Sequence, residues 1–142
     1  MSDLYENDVL VWSEHQAELL RRLAAGERVN DQVDWQNVIE EVESVGSEQL
    51  HSVESLLVQA IAHRLKAQGW PQARDVDSWQ ADAERFRGDA ASRFTPSMRQ
   101  RIDPARLYRR GLRAIPARID GEQPQPLPAE CPWTLDELLS DE

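Results

Sequence analysis

Residues 35–68 read WQNVIEEVESVGSEQLHSVESLLVQAIAHRLKAQ. Their apolar residues recur mostly at steps of three and four, the spacing that brings side chains onto one face of an α-helix. These positions are Val38, Ile39, Val42, Val45, Leu50, Val53, Leu56, Leu57, Ala60 and Ile61. At about 100° per residue they share an arc of roughly 160°. The stretch is therefore predicted to form one long helix whose apolar face is covered by neighbouring helices.

The ends of this helix carry clear signals. Asp34 is a good N-cap residue, because its carboxylate can accept from the free amides of the first turn. After Gln68, the run Gly69-Trp70-Pro71 predicts where the helix stops. A straight helix of this length spans about 50 Å, whereas a compact sphere of 142 residues is about 37 Å across. We therefore expect an elongated bundle, with a bend or break near Gly46-Ser47 as the alternative.

Further helices flank the long one on both sides. Apolar spacing predicts helices over residues 7–25 and 76–93. Two pairs of a capping residue followed by proline predict a short helix over residues 96–102 and another over residues 104–115. Three tryptophans are expected in the core of this bundle, namely Trp12, Trp35 and Trp79.

The C-terminal region has a different character. Residues 120–132 contain four prolines, which favour an extended chain. Thr134 and Glu137 have the spacing of a capping box, and Trp133 beside them is expected to anchor the tail. The sequence thus predicts an all-α protein, an elongated up-down bundle of about four main helices with an extended C-terminal tail. It predicts one domain over residues 1–142, with residues 120–142 packed back on the bundle.

The formal charge of −10 is unevenly distributed. Residues 1–60 hold 13 acidic and three basic residues, residues 61–118 hold 13 basic and six acidic residues, and residues 119–142 hold seven acidic residues and no base. We expect the acidic helices to pack beside the basic ones. No apolar run approaches the roughly 20 residues of a membrane span. Cys131 is the only cysteine, which favours a reducing, cytoplasmic location.

Several motifs together resemble a known family. They are Tyr5-Glu6-Asn7-Asp8, Asp34-Trp35-Gln36-Asn37, Glu40-Glu41-Val42-Glu43-Ser44-Val45-Gly46, Ala62-His63-Arg64-Leu65-Lys66 and the stretch from Cys131 to Leu139. In this order the motifs resemble the bacterial domain-of-unknown-function family twenty-nine over nearly the whole chain. The resemblance implies a small all-helical, bundle-like protein with no assigned activity, and it supplies no catalytic residues.

Two arrangements invite a metal-binding hypothesis. Glu48 and His51 have the Glu-x-x-His spacing of di-iron bundles, but the sequence holds no second copy of that motif. His51 and His63 are 12 residues apart on one predicted helix, which places them about 18 Å apart. We therefore expect Glu48 and His51 to be solvated and His63 to be packed and bonded to a carbonyl. The sequence predicts no metal and no cofactor.

Polar residues within the apolar arc are the better candidates for a binding site. Gln49 and Arg64 fall near the centre of the arc, and Glu43 falls at its edge. Because an unpaired buried arginine is very costly, Arg64 should meet a carboxylate, with Glu43 or Glu18 as conceivable partners, or reach solvent. The alternative is a pocket in which Arg64 receives an anionic ligand. The candidate binding residues are thus Gln49, Arg64 and Glu43, and no residue is predicted to be catalytic.

The leading functional hypothesis is a non-enzymatic cytoplasmic module for protein interaction, self-associating through part of the long helix or binding another protein. One alternative is a ligand- or metal-binding bundle, including an enzyme, built around Arg64. The other is nucleic-acid binding through the arginine-rich residues 99–113. The acidic flanks disfavour nucleic acid, because they would repel a polyanion. No membrane partner is predicted.

Overall fold

Helices dominate the chain. The computed structural model describes residues 2–141, and the side chains of residues 4–141. The helices are α1 (Ser2–Asn7), α2 (Val9–Ala24), α3 (Trp35–Gly69), α4 (Val76–Arg93), α5 (Pro104–Ala114) and α6 (Leu135–Leu139). Four of them have at least 11 residues. Extended pairing within the described residues is limited to one bridge between Ile119 and Glu122. The all-α prediction is confirmed.

The contacts divide the chain into two compact units, where the sequence predicts a single domain. One unit extends to Ser47 and the other begins at Glu48. Helix α3 supplies residues to both, and it remains α-helical through Gly46-Ser47. The alternative of a break at that point is therefore wrong.

The N-terminal unit, up to Ser47, begins with two helices rather than the predicted single one. The chain leaves the helix at Asp8, whose side chain accepts from the amide of Val11 at 3.1 Å and caps α2. Leu19, Val29 and Val33 form a small buried core in this unit. Three partly buried side chains pack against that core, namely Leu20, Leu23 and Val38.

The C-terminal unit, from Glu48, holds the larger core. Val53, Leu57, Ile61 and Leu65 follow one another at spacings of four along α3, and each is fully buried. Buried side chains from the other elements complete this core, namely Ala90, Met98, Ile102, Leu107, Tyr108, Leu135 and Leu138. The second half of α3 thus has the covered apolar face that its periodicity predicts.

Helices α3 and α5 approach closely at a glycine. A Cβ atom added at Gly111 would lie 2.5 Å from Cγ2 of Ile61. In the first turns of α5, Arg106 forms an ion pair with Glu54 of α3. Glu54 is only 4% exposed. The contact therefore combines close apolar packing with a buried carboxylate that has a cationic partner.

The C-terminal tail packs on this unit. The amide of Gln125 donates to the carbonyl of Gly69 at 2.8 Å, and the Tyr108 hydroxyl donates to the carbonyl of Pro128. Thr134 and Glu137 form the expected capping box of α6. Where the sequence predicts a helix over residues 96–102, the structure has only a 3₁₀ turn at Pro96–Met98.

One major expectation is wrong. The apolar face of α3 is covered only in its second half, and Ile39, Val42 and Val45 are exposed. Trp35 is exposed as well, although Trp12 and Trp79 are buried as predicted. Periodicity places apolar residues on one side of a helix, but it does not supply the element that covers them.

Candidate functional site

Polar contacts join α2 to the start of α3. The indole N–H of Trp12 donates to the Asp34 carboxylate at 3.0 Å. The amide of Asp34 donates in turn to the side-chain oxygen of Gln16 at 2.8 Å. Both Trp12 and Gln16 are buried. These bonds fix the N-terminal end of α3 beside the middle of α2.

Two carboxylates in the N-terminal unit are engaged by neighbouring donors. Hydrogen bonds from Asn37 and Trp12 hold the pKa of Asp34 below its ordinary value, against the opposing effect of desolvation. Glu41 accepts a hydrogen bond from the Tyr5 hydroxyl. That bond, with desolvation and the charge of Glu41, raises the pKa of Tyr5 to about 12. Both carboxylates therefore have structural roles.

The Tyr5–Glu41 bond makes alkaline stability sensitive to position 5. Because the pKa of Tyr5 is raised from 10.0 to about 12, its stabilising effect is complete below pH 10 and is lost as the pH rises through 12. Tyr5→Phe should make the N-terminal unit less stable below pH 10 and remove one tyrosinate transition from an absorbance titration. Tyr108→Phe is the control, because it should leave the Tyr5 transition in place. A Tyr5 transition near pH 10 in the folded wild-type protein would contradict this assignment.

A groove opens between α2 and the first half of α3. Its volume is about 270 Å³. The lining residues are Trp12, Ser13, Gln16, Ala17 and Leu20 from α2, and Val38, Glu41, Val42 and Val45 from α3. The valines of α3 thus form one wall, and that wall continues onto the outer surface of the helix.

Four exposed side chains on α3 define an apolar stripe, composed of Trp35, Ile39, Val42 and Val45. Their exposed fractions are 43%, 55%, 68% and 65%. They are spaced by four, three and three residues, so they share one face of the helix. The indole N–H of Trp35 donates to the carbonyl of Asn30 at 2.7 Å, which restrains the ring at the edge of the stripe.

Exposed large apolar side chains are concentrated in the N-terminal unit. Besides the apolar stripe they comprise Val9, Leu10 and Val11 at the start of α2. Among the described residues from Glu48 onward, no large apolar side chain is exposed to a comparable degree. The described part of the C-terminal unit therefore covers its large apolar side chains, whereas the N-terminal unit leaves these seven exposed.

The surroundings of the apolar stripe are acidic. Residues 1–47 contain eleven acidic and three basic residues, a formal balance of −8. Glu41 and Glu43 adjoin Val42 in the sequence and lie about 100° to either side of it around the helix. The stripe is therefore bordered by a carboxylate on each side.

The sequence predicts that Arg64 either meets a carboxylate or reaches solvent, and the structure shows a half-buried side chain with an aromatic neighbour. Its guanidinium lies 5.4 Å from the centre of the Trp133 ring. No carboxylate of residues 4–141 forms an ion pair with it, so neither Glu43 nor Glu18 is its partner. Burial lowers the pKa of Arg64, the charge of Glu84 opposes that effect and the charge of Arg87 adds to it. The ring of Trp133 packs edge-on against Tyr108.

The other two predicted binding residues do not gather around Arg64. Gln49 is exposed and lies 15 residues before Arg64 on α3, which is on the order of 22 Å along the helix axis. Glu43 is exposed and belongs to the N-terminal unit. The ligand-binding hypothesis for these three residues stays a prediction.

The Arg64–Trp133 contact should have a measurable effect on stability. Arg64→Ala removes a half-buried cation from the face of an indole ring, and a loss of about 1 kcal/mol in the free energy of unfolding is expected. Arg64→Lys should retain part of the stabilisation, because it keeps a cation at this position. Urea unfolding followed by tryptophan fluorescence measures both variants. Equal stability of Arg64→Ala and wild type would show that the contact is not stabilising.

The histidines and arginines have ordinary neighbours. His63 donates from Nδ1 to the carbonyl of Gln59 at 2.8 Å, as predicted, and Glu48 and His51 are exposed, also as predicted. No cluster of three metal-ligating side chains occurs among residues 4–141. In the arginine-rich segment, Arg106 pairs with Glu54 and Arg99 pairs with Asp136 at 2.7 Å. Nucleic-acid binding by that segment stays a prediction.

The described residues form an all-helical protein that leaves the apolar stripe uncovered. The chain belongs to the family described as domain of unknown function DUF29, whose family model matches residues 4–142. The resemblance found in the motifs is thereby confirmed.

One solved structure resembles this chain in fold and sequence. It is the crystal structure of an α-helical protein of unknown function from Rhodospirillum rubrum, which is 27% identical, with a TM-score of 0.60. The match covers 97% of this chain and 90% of that chain. No curated protein matches the sequence. No α-helix of residues 2–141 is long and apolar enough to span a lipid bilayer.

Proposed function

We propose that this protein is a non-enzymatic cytoplasmic interaction module that binds a protein partner through the apolar stripe. The observation that carries the proposal is the exposure of Trp35, Ile39, Val42 and Val45 on one helix face. Large apolar patches rimmed by polar residues commonly mark protein-binding surfaces. Here the stripe is rimmed by carboxylates and adjoins an open groove.

The size of the exposed surface supports this proposal. From the exposed fractions, the four residues present about 450 Å² of mostly apolar surface, which is the size of the largest apolar patch on a typical monomer, and such a patch is often functional. Val38 and Leu20 in the groove are partly buried and extend the same surface. Leaving this area in water forgoes the stabilisation that its burial would provide.

The polar groups beside the stripe support a binding role over a catalytic one. The Asp34 carboxylate accepts hydrogen bonds from Trp12 and Asn37, and the Glu41 carboxylate accepts one from Tyr5. These bonds hold the helices of the N-terminal unit in place. Because the side chain of Val42 takes no part in these bonds, substituting Val42 should alter binding and leave the local fold unchanged.

Photo-crosslinking in living cells tests the proposal. A photoreactive phenylalanine derivative is placed at Val42, in the stripe, or at Glu40, which is exposed on the opposite face of the same helix. Irradiation should give a discrete protein adduct from position 42 and little from position 40. Equal labelling at the two positions, or no adduct from position 42, would contradict a binding role for the stripe.

A further inference from the structure

We infer that the partner on the apolar stripe is a second copy of this chain, paired stripe against stripe. The inference rests on the proposed function and adds the identity of the partner. The described part of the C-terminal unit exposes no large apolar side chain comparable to those of the stripe. The other exposed large apolar side chains of the described residues are Val9, Leu10 and Val11, which are consecutive in the sequence and therefore point about 100° apart around α2. The stripe of another copy is thus the exposed apolar surface on one helix face that this chain offers, which makes a two-fold symmetric interface.

The area of the stripe fits a pair of chains. Interfaces are about 60% apolar, so burial of the whole stripe, about 450 Å², with a polar rim in that proportion would cover about 750 Å² on each copy. A stable interface of standard size buries about 800 Å² on each partner. Two stripes with their polar rims thus come close to the area that a stable dimer needs.

The shape of the stripe suits antiparallel pairing of two α3 helices. In one antiparallel register, Trp35 lies opposite Gly46 of the second copy, and Ile39 lies opposite Val42. A Cβ atom added at Gly46 would have no heavy atom within 4 Å, so this position is open. The largest side chain of the stripe then faces the position with no side chain, which permits close approach of the helices.

The charge of the N-terminal unit determines whether salt strengthens or weakens the dimer. Each copy brings a formal balance of −8 to the interface region. Salt screens repulsion between like charges, so self-association should strengthen several-fold between low and high ionic strength. A basic helix from another protein would show the opposite behaviour, because salt weakens the attraction of unlike charges.

Sedimentation velocity of the full chain tests the inference. Over increasing concentration and salt, the species should shift from the 16.3 kDa monomer to the dimer. Val42→Asp, in the centre of the stripe, should weaken the dimer at least about tenfold, because it buries an unpaired charge. Ser47→Asp adds the same charge at an exposed position on the other side of α3 and should change the association little.

Gly46→Ala separates an interface role from a structural one. Alanine favours a helix over glycine, and nothing in the chain obstructs the added methyl group. At concentrations where both proteins are monomeric, the variant should therefore unfold at a higher temperature than wild type, and yet it should dimerise several-fold more weakly. A purely structural role of Gly46 would leave the dissociation constant unchanged.

The results of these experiments distinguish failure of the dimer inference from failure of the proposed function. A monomer at every concentration and salt, a dimer that weakens with salt, or a dimer insensitive to Val42→Asp would each overturn the inference. Adducts from position 42 that contain only another protein would overturn it and leave the proposed function standing. An absence of adducts would overturn both, whereas an adduct of twice the monomer mass with a salt-strengthened dimer supports both.

Discussion

Arg106→Ala is expected to lower the free energy of unfolding of the C-terminal unit by about 3 kcal/mol. Arg106 pairs with Glu54, and that glutamate is 4% exposed in the contact between α3 and α5. Removing the guanidinium leaves a buried carboxylate without its cationic partner, which costs far more than the loss of an exposed pair. Urea unfolding followed by tryptophan fluorescence measures the change.

An exposed ion pair supplies the matched control for Arg106. Arg99 and Asp136 pair at 2.7 Å with both side chains at least half exposed, so Arg99→Ala should cost no more than about 1 kcal/mol. The double variant Glu54→Met with Arg106→Met should recover most of the loss, because no charge is then buried. Equal effects of Arg106→Ala and Arg99→Ala would contradict the burial argument.

Gly111→Ala is expected to cost about 2 kcal/mol by overpacking. The new Cβ would lie 2.5 Å from Cγ2 of Ile61 and 3.2 Å from its Cβ, and Ile61 is fully buried. Because a branched core side chain cannot move aside freely, α5 must shift away from α3. The higher helix propensity of alanine offsets only part of this cost.

Gly88 provides the control for Gly111, because it lies inside α4 with no heavy atom within 4 Å of an added Cβ. Gly88→Ala should raise the free energy of unfolding by about 0.5–1 kcal/mol. In an Ile61→Ala background, Gly111→Ala should lose most of its destabilising effect, since the obstructing methyl group is gone. A stabilising Gly111→Ala in the wild-type chain would contradict the close approach of the helices.

Much of the helical structure is predictable from local signals. Asp34 and Gly69-Trp70-Pro71 place the ends of α3 within a residue of where they lie. Asp103 followed by Pro104 marks the start of α5, and the Thr134–Glu137 capping box marks α6. These signals work because capping and proline geometry depend on neighbours within one helical turn.

The environment of individual side chains is less predictable. Arg64 meets Trp133, which is 69 positions later in the chain, and nothing in the residues around Arg64 indicates that contact. The sequence predicts Asp8 inside a helix, although aspartate is a favoured cap and was a local signal for the break. Tertiary packing decides such cases, and helical periodicity carries no information about it.

The apolar stripe shows most clearly that helical periodicity does not reveal which side chains are covered. Periodicity assigns Val42 and Leu57 to one continuous face, yet Leu57 is fully buried and Val42 is 68% exposed. The dense carboxylates around Val42, at Glu40, Glu41 and Glu43, were the available signal that this half of α3 is surrounded by solvent. In the proposed function, this apolar face within the acidic unit is the surface that a partner covers.

Thiol labelling in cells tests most directly whether the apolar stripe is covered. In a Cys131→Ser background, Val42→Cys and the control Glu40→Cys each present one cysteine on opposite faces of the same helix. If a partner covers the stripe, a membrane-permeable maleimide will react with position 42 much more slowly in intact cells than in dilute purified protein, whereas position 40 will react alike in both. Equal rates for position 42 in cells and in dilute solution would contradict the account.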